Sequence, residues 1–162
     1  DGILLHPFHT RRFLEEVTIP RLEDGIEAVG RSRDDVVVIP TVLTCAYRNE
    51  EERERALRGV RMNLAFYGST PAYRATLEMH GWGEIQAELN RLTKEGRWDE
   101  IPACIDDEVL HMIAVVGTPA EIGREMAARY RDVAARVGLS MPYQHGDDLL
   151  AEVVSEIRVA SS

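Results

Sequence analysis

The side chains best suited to chemistry stand directly after the first apolar run of the chain. Residues 3–5 are Ile-Leu-Leu, and residues 6–12, His-Pro-Phe-His-Thr-Arg-Arg, bring together two imidazoles, a hydroxyl and two guanidiniums. If the apolar run is a strand and a helix begins at Thr10, these groups lie at a strand's carboxyl end, beside outward-pointing backbone N–H groups. This pattern predicts a site for an anionic or polar ligand, and the open alternative is a helix cap with solvated arginines. The candidate residues of the site are His6, His9 and Thr10, with His6 first by position.

A second candidate cluster occupies residues 66–73, Phe-Tyr-Gly-Ser-Thr-Pro-Ala-Tyr. It joins aromatic rings to a glycine turn and hydroxyls at a helix start, which suits a pocket wall or a phosphate cradle. The glycine pattern has neither of the usual nucleotide-binding frames. The alternative is a helix stop followed by a cap, with the rings in the core. Tyr67 and Gly68 are the candidate residues here.

Three other features give weaker signals. His111 precedes an apolar run, so it either faces the interior of a barrel or is satisfied in the core. The three acids at 106–108 predict a helix cap rather than a metal site, because no histidine stands at ligand spacing. Cys45 has no histidine partner in the sequence and is expected to be a buried, inert thiol. No metal site and no catalytic residue are predicted.

Composition excludes some partners. The formal net charge of −9 argues against binding to nucleic acid or to an anionic membrane, because both need a clustered positive face. No apolar run is long enough to cross a bilayer. The two cysteines, Cys45 and Cys104, form no close pair, which favours a reducing compartment. We therefore expect a cytoplasmic protein.

The elements that would position these residues alternate between strands and helices. Strands are predicted at 3–5, 36–44 and 137–141, with further apolar residues at 113–116, and helices at 10–30, 49–67, 118–135 and 147–158. Pro20 is expected to kink or divide the first helix. Residues 69–107 contain only short helical stretches, at 70–79, 84–94 and 98–105, and are interpreted as an inserted helical subdomain or lid. Strands separated by helices of this length favour parallel βα units and an α/β fold.

The order of these segments resembles a known family. The segments are Asp1-Gly2 at a strand, Gly30-Arg31-Ser32, the strand at Val36, and residues 116–122, Val-Gly-Thr-Pro-Ala-Glu-Ile. Together they resemble the C-terminal half of the luciferase-like monooxygenase family, and the runs at 64–73 and 80–83 resemble its deazaflavin (coenzyme F-420)-dependent oxidoreductase branch. Because the chain opens on an apolar run without an initiator Met, we expect it to be a piece of a larger enzyme.

The resemblance implies the C-terminal part of a (β/α)8 TIM barrel, in which 1–162 is a single partial domain and 69–107 a helical insertion. It implies hydride transfer between coenzyme F-420 and a small organic substrate, with His6, His9 and Thr10 near the ligand. An FMN-dependent monooxygenase is the alternative within the family. A non-catalytic half-barrel that binds or dimerises is the alternative of another class, and we expect a homo-oligomer. The chain alone is expected to be inactive, because the family's ring-binding residues lie in the other half of the barrel.

Overall fold

The computed structural model describes residues 1–161, in which strands and helices alternate along the chain. The strands are β1 (Gly2–Leu5), β2 (Val37–Ala46), β3 (Val115–Gly117) and β4 (Gly138–Ser140). The α-helices are α1 (Arg11–Phe13), α2 (Ile19–Ala28), α3 (Glu50–Gly68), α4 (Arg74–Glu78), α5 (Gly83–Lys94), α6 (Asp107–Ile113), α7 (Pro119–Tyr130) and α8 (Asp147–Ala160). Of these helices, none combines the length and the apolar character that a membrane span needs.

The sheet is parallel and is organised around β2. Its first residues pair with β1 in the register Gly2–Val37, its middle pairs with β4 in the register Thr41–Gly138, and its last residues pair with β3 in the register Thr44–Val115. The C-terminal half of β2, residues 42–46, is buried on both faces, as its run of β-branched and apolar residues predicts. Parallel strands linked by helices confirm the predicted α/β class.

The core lies on both faces of this sheet. On one face, α3 and the helices of residues 69–113 pack around Leu43, Cys45 and Phe8. On the other face, α7 and α8 pack around Val42, Ala46 and Val115. Alternate residues of β2 therefore belong to two different core clusters, because successive side chains along a strand point to opposite faces of the sheet.

The first helix is divided, as Pro20 predicts. Thr10 begins it by accepting a hydrogen bond from the Phe13 N–H, and a π-helical stretch, Leu14–Thr18, separates α1 from α2. Pro20 has no N–H to donate, and the π turn is closed by the Ile19 N–H on the Leu14 carbonyl. The predicted stop at Gly30 is also confirmed, because this residue has a φ of +68°.

Residues 69–107 contain α4, α5 and two 3₁₀ helices, Pro71–Tyr73 and Ile101–Cys104. The predicted helix at 98–105 is wrong in its first part, where Trp98 is exposed outside any helix. Of the apolar residues at 113–116, Ile113 ends α6, and Val115 and Val116 lie in the three-residue strand β3. The assignment of 69–107 as an insertion stays a prediction.

Candidate functional site

The loop that follows β1 has one exposed residue among buried ones. His6 is exposed, whereas residues 7–10 are buried. Leu5 ends the strand opposite Pro40 of β2, and Thr10 begins α1, so four residues cross from the sheet to the helix. Because its neighbours are fixed in the core, His6 projects from a rigid base.

Three rings meet at His6. Its imidazole stacks on Tyr73 with ring centroids 4.6 Å apart and an interplanar angle of 16°. Tyr67 approaches edge-on at 4.5 Å and 78°. Phe8 lies behind them, with its centroid 5.4 Å from that of Tyr73. His6 and Tyr67, which come from the two candidate clusters of the sequence, are thus in direct contact, and Tyr73 completes the group, which we call the ring cluster (His6, Tyr67, Tyr73).

Gly68 brings the second candidate segment against the first. It is the last residue of α3 and is buried, and a Cβ there would lie 2.9 Å from Leu89 Cδ1 and 3.5 Å from Phe8 Cζ. A side chain at this position would force the Leu89 side chain of α5 to shift and would contact Phe8. Gly68 therefore acts through close packing beside the ring cluster and does not itself face a ligand.

His9 is buried and fully hydrogen-bonded. Its Nδ1 lies 2.7 Å from the carbonyl oxygen of His6, and its Nε2 lies 3.3 Å from the hydroxyl of Tyr130 at the end of α7. Burial lowers the pKa of His9 below its ordinary value, and Arg129 lowers it further by repulsion. Burial likewise raises the pKa of Tyr130. His9 is thus a neutral internal link, not a ligand-facing group.

Thr10 connects the loop to residues 69–107. Its hydroxyl caps Phe13 and lies 2.9 Å from His80 Nε2. The imidazole of His80 stacks on Trp82 with centroids 4.9 Å apart. Burial lowers the pKa of His80, which keeps it neutral in this contact. Thr10, a candidate ligand residue from its position in the sequence, thus has two internal partners.

The two guanidiniums that follow Thr10 have carboxylate partners. Arg11 and Arg12 do not stand free for an anion, since each pairs with the glutamate four residues on, Glu15 and Glu16 respectively. Arg11 also donates to the carbonyl of Arg129, and Arg12 donates to the carbonyl of Met79. These cations tie helices together because their planar heads reach backbone carbonyls as well as carboxylates.

His111 lies apart from the ring cluster. It is on the exposed face of α6, so it neither faces a barrel interior nor is satisfied in the core. The reason is that α6 extends through this position, where the sequence favoured the approach to a strand. Its backbone carbonyl accepts a hydrogen bond from Arg129 Nη2 at 3.1 Å. This contact is structural and involves no ring atom.

A charged group that the sequence did not single out lies at the carboxyl end of β2. Arg48 bonds Glu52 at 2.7 Å and Asp148 at 2.6 Å, which ties α3 to α8. Nearby, the Tyr143 hydroxyl bonds both the N–H and the carbonyl of Ala46. Burial raises the pKa of Cys45 to about 12, which fits the inert thiol expected from the sequence.

The arrangement suits a planar heterocycle better than a metal or a phosphate. Within residues 1–161, no group of three or more His, Cys, Asp or Glu is placed to hold a metal ion. The ring cluster offers aromatic faces and edges, and the exposed imidazole of His6 offers a polar atom at its rim. These residues fit the ring system of a deazaflavin or flavin, and Arg11 and Arg12 do not fit its phosphate.

Comparison with known proteins gives three findings. A family model described as luciferase-like monooxygenase matches residues 1–136. An uncharacterized protein of Mycobacterium tuberculosis is 42% identical over 137 residues, covering 85% of this chain and 40% of that protein. The 5,10-methylenetetrahydromethanopterin reductase of Archaeoglobus fulgidus is 28% identical over 129 residues, covering 75% of this chain and 36% of that protein.

A solved structure, the coenzyme F-420-dependent tetrahydromethanopterin reductase of Methanopyrus kandleri, superposes with a TM-score of 0.77 at 19% identity. The match covers 99% of this chain and 45% of that one. It confirms the fold class predicted from the sequence, part of a TIM barrel. The chain spans less than half the length of each of these proteins.

Proposed function

The chain belongs to the luciferase-like monooxygenase family, as its motifs predict, and from that membership we propose that it is part of an oxidoreductase that uses coenzyme F-420. In this proposal, hydride passes between the deazaflavin and a small organic substrate. The coenzyme supplies the hydride chemistry when it is bound. The chain's own residues bind and orient a planar ring and keep water from one side of it.

The observation that carries the proposal is the ring cluster at the carboxyl end of β1. Active sites of barrel enzymes lie at that end of the strands. Stacking of His6 on Tyr73, with Tyr67 edge-on, makes a rigid aromatic wall whose free surface suits a flat, conjugated ligand. The segment 69–107 includes Tyr73 and His80, so in this proposal it also serves as the lid predicted from the sequence.

The test uses the natural gene product that contains this sequence. Its intact mass, measured first, is compared with the 18.2 kDa of the printed chain. Titration with oxidised coenzyme F-420 is then followed by deazaflavin fluorescence. We expect saturable quenching, and we expect loss of the oxidised chromophore when a reducing substrate is added. Absence of both signals would remove coenzyme F-420 from the proposal.

FMN is the alternative cofactor, favoured by the name of the matched family. An FMN-dependent monooxygenase would consume oxygen when a reductase supplies reduced FMN, and it would leave coenzyme F-420 unquenched. The two proposals therefore give opposite results in the same pair of titrations.

We also propose that the chain forms a homo-oligomer. Apolar side chains remain exposed along the outer sheet residues, with Leu4 at 72%, Val37 at 42% and Ile3 at 37%. Uncovered apolar strand residues favour association. A non-catalytic half-barrel that dimerises would bind neither cofactor and would still associate, which separates it from the enzyme.

A further inference from the structure

Hydrogen bonds to the backbone fix the tautomer of His6. The N–H of Phe8 points at His6 Nδ1 from 3.2 Å, so Nδ1 must present its lone pair. In a neutral imidazole the proton is then on Nε2. Burial lowers the pKa of His6, which favours the neutral ring. Among residues 1–161, Nε2 of His6 has no hydrogen-bond partner, and the His6 side chain is exposed.

The same reasoning gives each bond of His9 a direction. Its Nδ1 faces the His6 carbonyl oxygen, which only accepts, so Nδ1 carries the proton. Its Nε2 is therefore the acceptor, and the Tyr130 hydroxyl donates to it. The chain of bonds runs from the Tyr130 hydroxyl through the His9 ring to the His6 carbonyl, and we call it the relay.

Tyr130 anchors the relay in the core from a distant part of the chain. It is 2% exposed, it ends α7, and it lies 121 residues from His9 in sequence. The adjacent Arg129 donates to backbone carbonyls at the end of α6, including those of His111 and Ile113. The end of α7 is thus held on both sides, so the relay has a fixed origin.

We propose that Tyr130 and His9 are positioning residues that hold His6 as an Nε2–H donor toward a carbonyl oxygen of a planar heterocyclic ligand at the ring cluster. The ligand half of this inference rests on the proposed function, and the relay itself does not. Tyr73 covers one face of the His6 ring and Tyr67 meets it edge-on. These contacts limit rotation of the ring about its side-chain bonds, so the donor points in one direction.

The role proposed for His6 requires only that its Nε2–H donate a hydrogen bond. When a conjugated ring accepts hydride, negative charge develops on its carbonyl oxygen, and a preorganised donor stabilises that charge. A neutral imidazole can supply the donor without giving up its proton. The ligand class is therefore a flat, conjugated heterocycle with a ring carbonyl.

The first experiment tests the relay without any ligand. In the protein labelled with ¹⁵N at histidine, we expect His6 to carry its proton on Nε2 and His9 to carry its proton on Nδ1. Tyr130→Phe removes only the donor hydroxyl, and we expect faster amide exchange at Phe8 and His9 and a changed His9 nitrogen pattern. Tyr143→Phe, which also deletes a buried hydroxyl contact, is the control and should leave both histidines unchanged. A proton on His6 Nδ1, or an unaltered loop in Tyr130→Phe, would overturn the inference.

The second experiment tests the donor with oxidised coenzyme F-420 as the probe. Gln places an amide N–H near the position of Nε2, whereas Asn reaches only the position of Nδ1. We expect His6→Gln to bind within about threefold of wild type and His6→Asn to bind about tenfold or more weakly, the loss expected for one hydrogen bond. Equal binding by the two variants would exclude the donor. If the wild-type protein binds no coenzyme, the proposed function and the ligand half of the inference fail together, while the nitrogen pattern still decides the relay.

Discussion

Burial of one titratable side chain, that of His9, makes the stability of the fold depend on pH. Burial keeps its folded pKa below the ordinary value of about 6.5, which the unfolded chain retains. The unfolded state therefore binds a proton at a higher pH than the folded state does. The stability associated with neutral His9 is complete above pH 6.5 and decreases as the pH falls toward the folded pKa.

We expect the free energy of unfolding to decrease below about pH 6.5, and to decrease less in His9→Gln. Urea denaturation of both proteins at about pH 7.5 and about pH 5.5 measures the effect. His6 and His80, whose pKa values are also lowered, remain in both proteins, so the difference between them isolates His9. Identical pH dependence in the two proteins would contradict the argument.

Thr10 gives a second prediction at this scale. Thr10→Val keeps the shape of the side chain but loses the cap on Phe13 and the contact with His80. We expect a loss of about 1 kcal/mol or more in unfolding free energy. Thr10→Ser retains the hydroxyl and serves as the matched control, within a few tenths of a kcal/mol of wild type. If Val and Ser variants unfold alike, the hydroxyl contributes nothing.

Sequence reasoning located the residues of the site better than their roles. His6, His9 and Thr10 were recognisable because they follow a strand and precede a helix start. Their partners Tyr130 and His80 lie 121 and 70 residues away, and no local pattern links residues that far apart. The difference between an exposed His6 and an internal, hydrogen-bonded His9 depends on those distant partners.

At the scale of elements, the sequence predicted what local chemistry controls. The caps at Asn49 and Thr118 are present, and the capping box at Thr118 is completed by Glu121. Boundaries that depend on tertiary packing were missed, such as the end of α7 at Tyr130, which the sequence extended to 135. The helical spacing of apolar residues in the sequence continues past Tyr130, although α7 ends there because it no longer packs on the core.

The contact of α7 with α8 depends on Gly123. A Cβ at this position would lie 2.6 Å from the Glu156 carbonyl oxygen, which is backbone and cannot move aside. We expect Gly123→Ala to lower the unfolding free energy by about 1–3 kcal/mol, the usual cost of overpacking.

Gly25→Ala is the matched control for this prediction. Gly25 lies within α2, and a Cβ there would meet no atom within 4 Å. The substitution should raise the unfolding free energy by about 0.5–1 kcal/mol because alanine favours the helix. Thermal unfolding of both variants gives the comparison, and a neutral Gly123→Ala would mean that the two helices can separate slightly.

For the whole molecule, the prominent feature is the uncovered sheet at β1. Leu4 is 72% exposed although it lies in a strand, and its neighbours Ile3 and Val37 are also exposed. A fold that matches 45% of a TIM-barrel reductase chain has apolar positions that the rest of such a barrel would contact. Their exposure here motivates the expectation of self-association.

For the 162-residue chain produced by itself, we expect Leu4→Lys to shift the mass from light scattering toward the 18.2 kDa of one copy, because the added charge opposes association at β1. Val159→Lys is the control, since Val159 is 70% exposed at the end of α8, away from the strands. A wild-type protein of 18.2 kDa at every concentration, or an equal effect of both variants, would exclude association through β1.

The π turn at Leu14–Thr18 has a consequence for the descent of the family. It contains one more residue than an α turn would need between the same ends. A π turn of this kind is what a single-codon insertion leaves in a regular helix. Relatives that lack the extra residue should have an unbroken first helix. The length of this stretch can therefore divide homologues into those that branched before the insertion and those that inherited it.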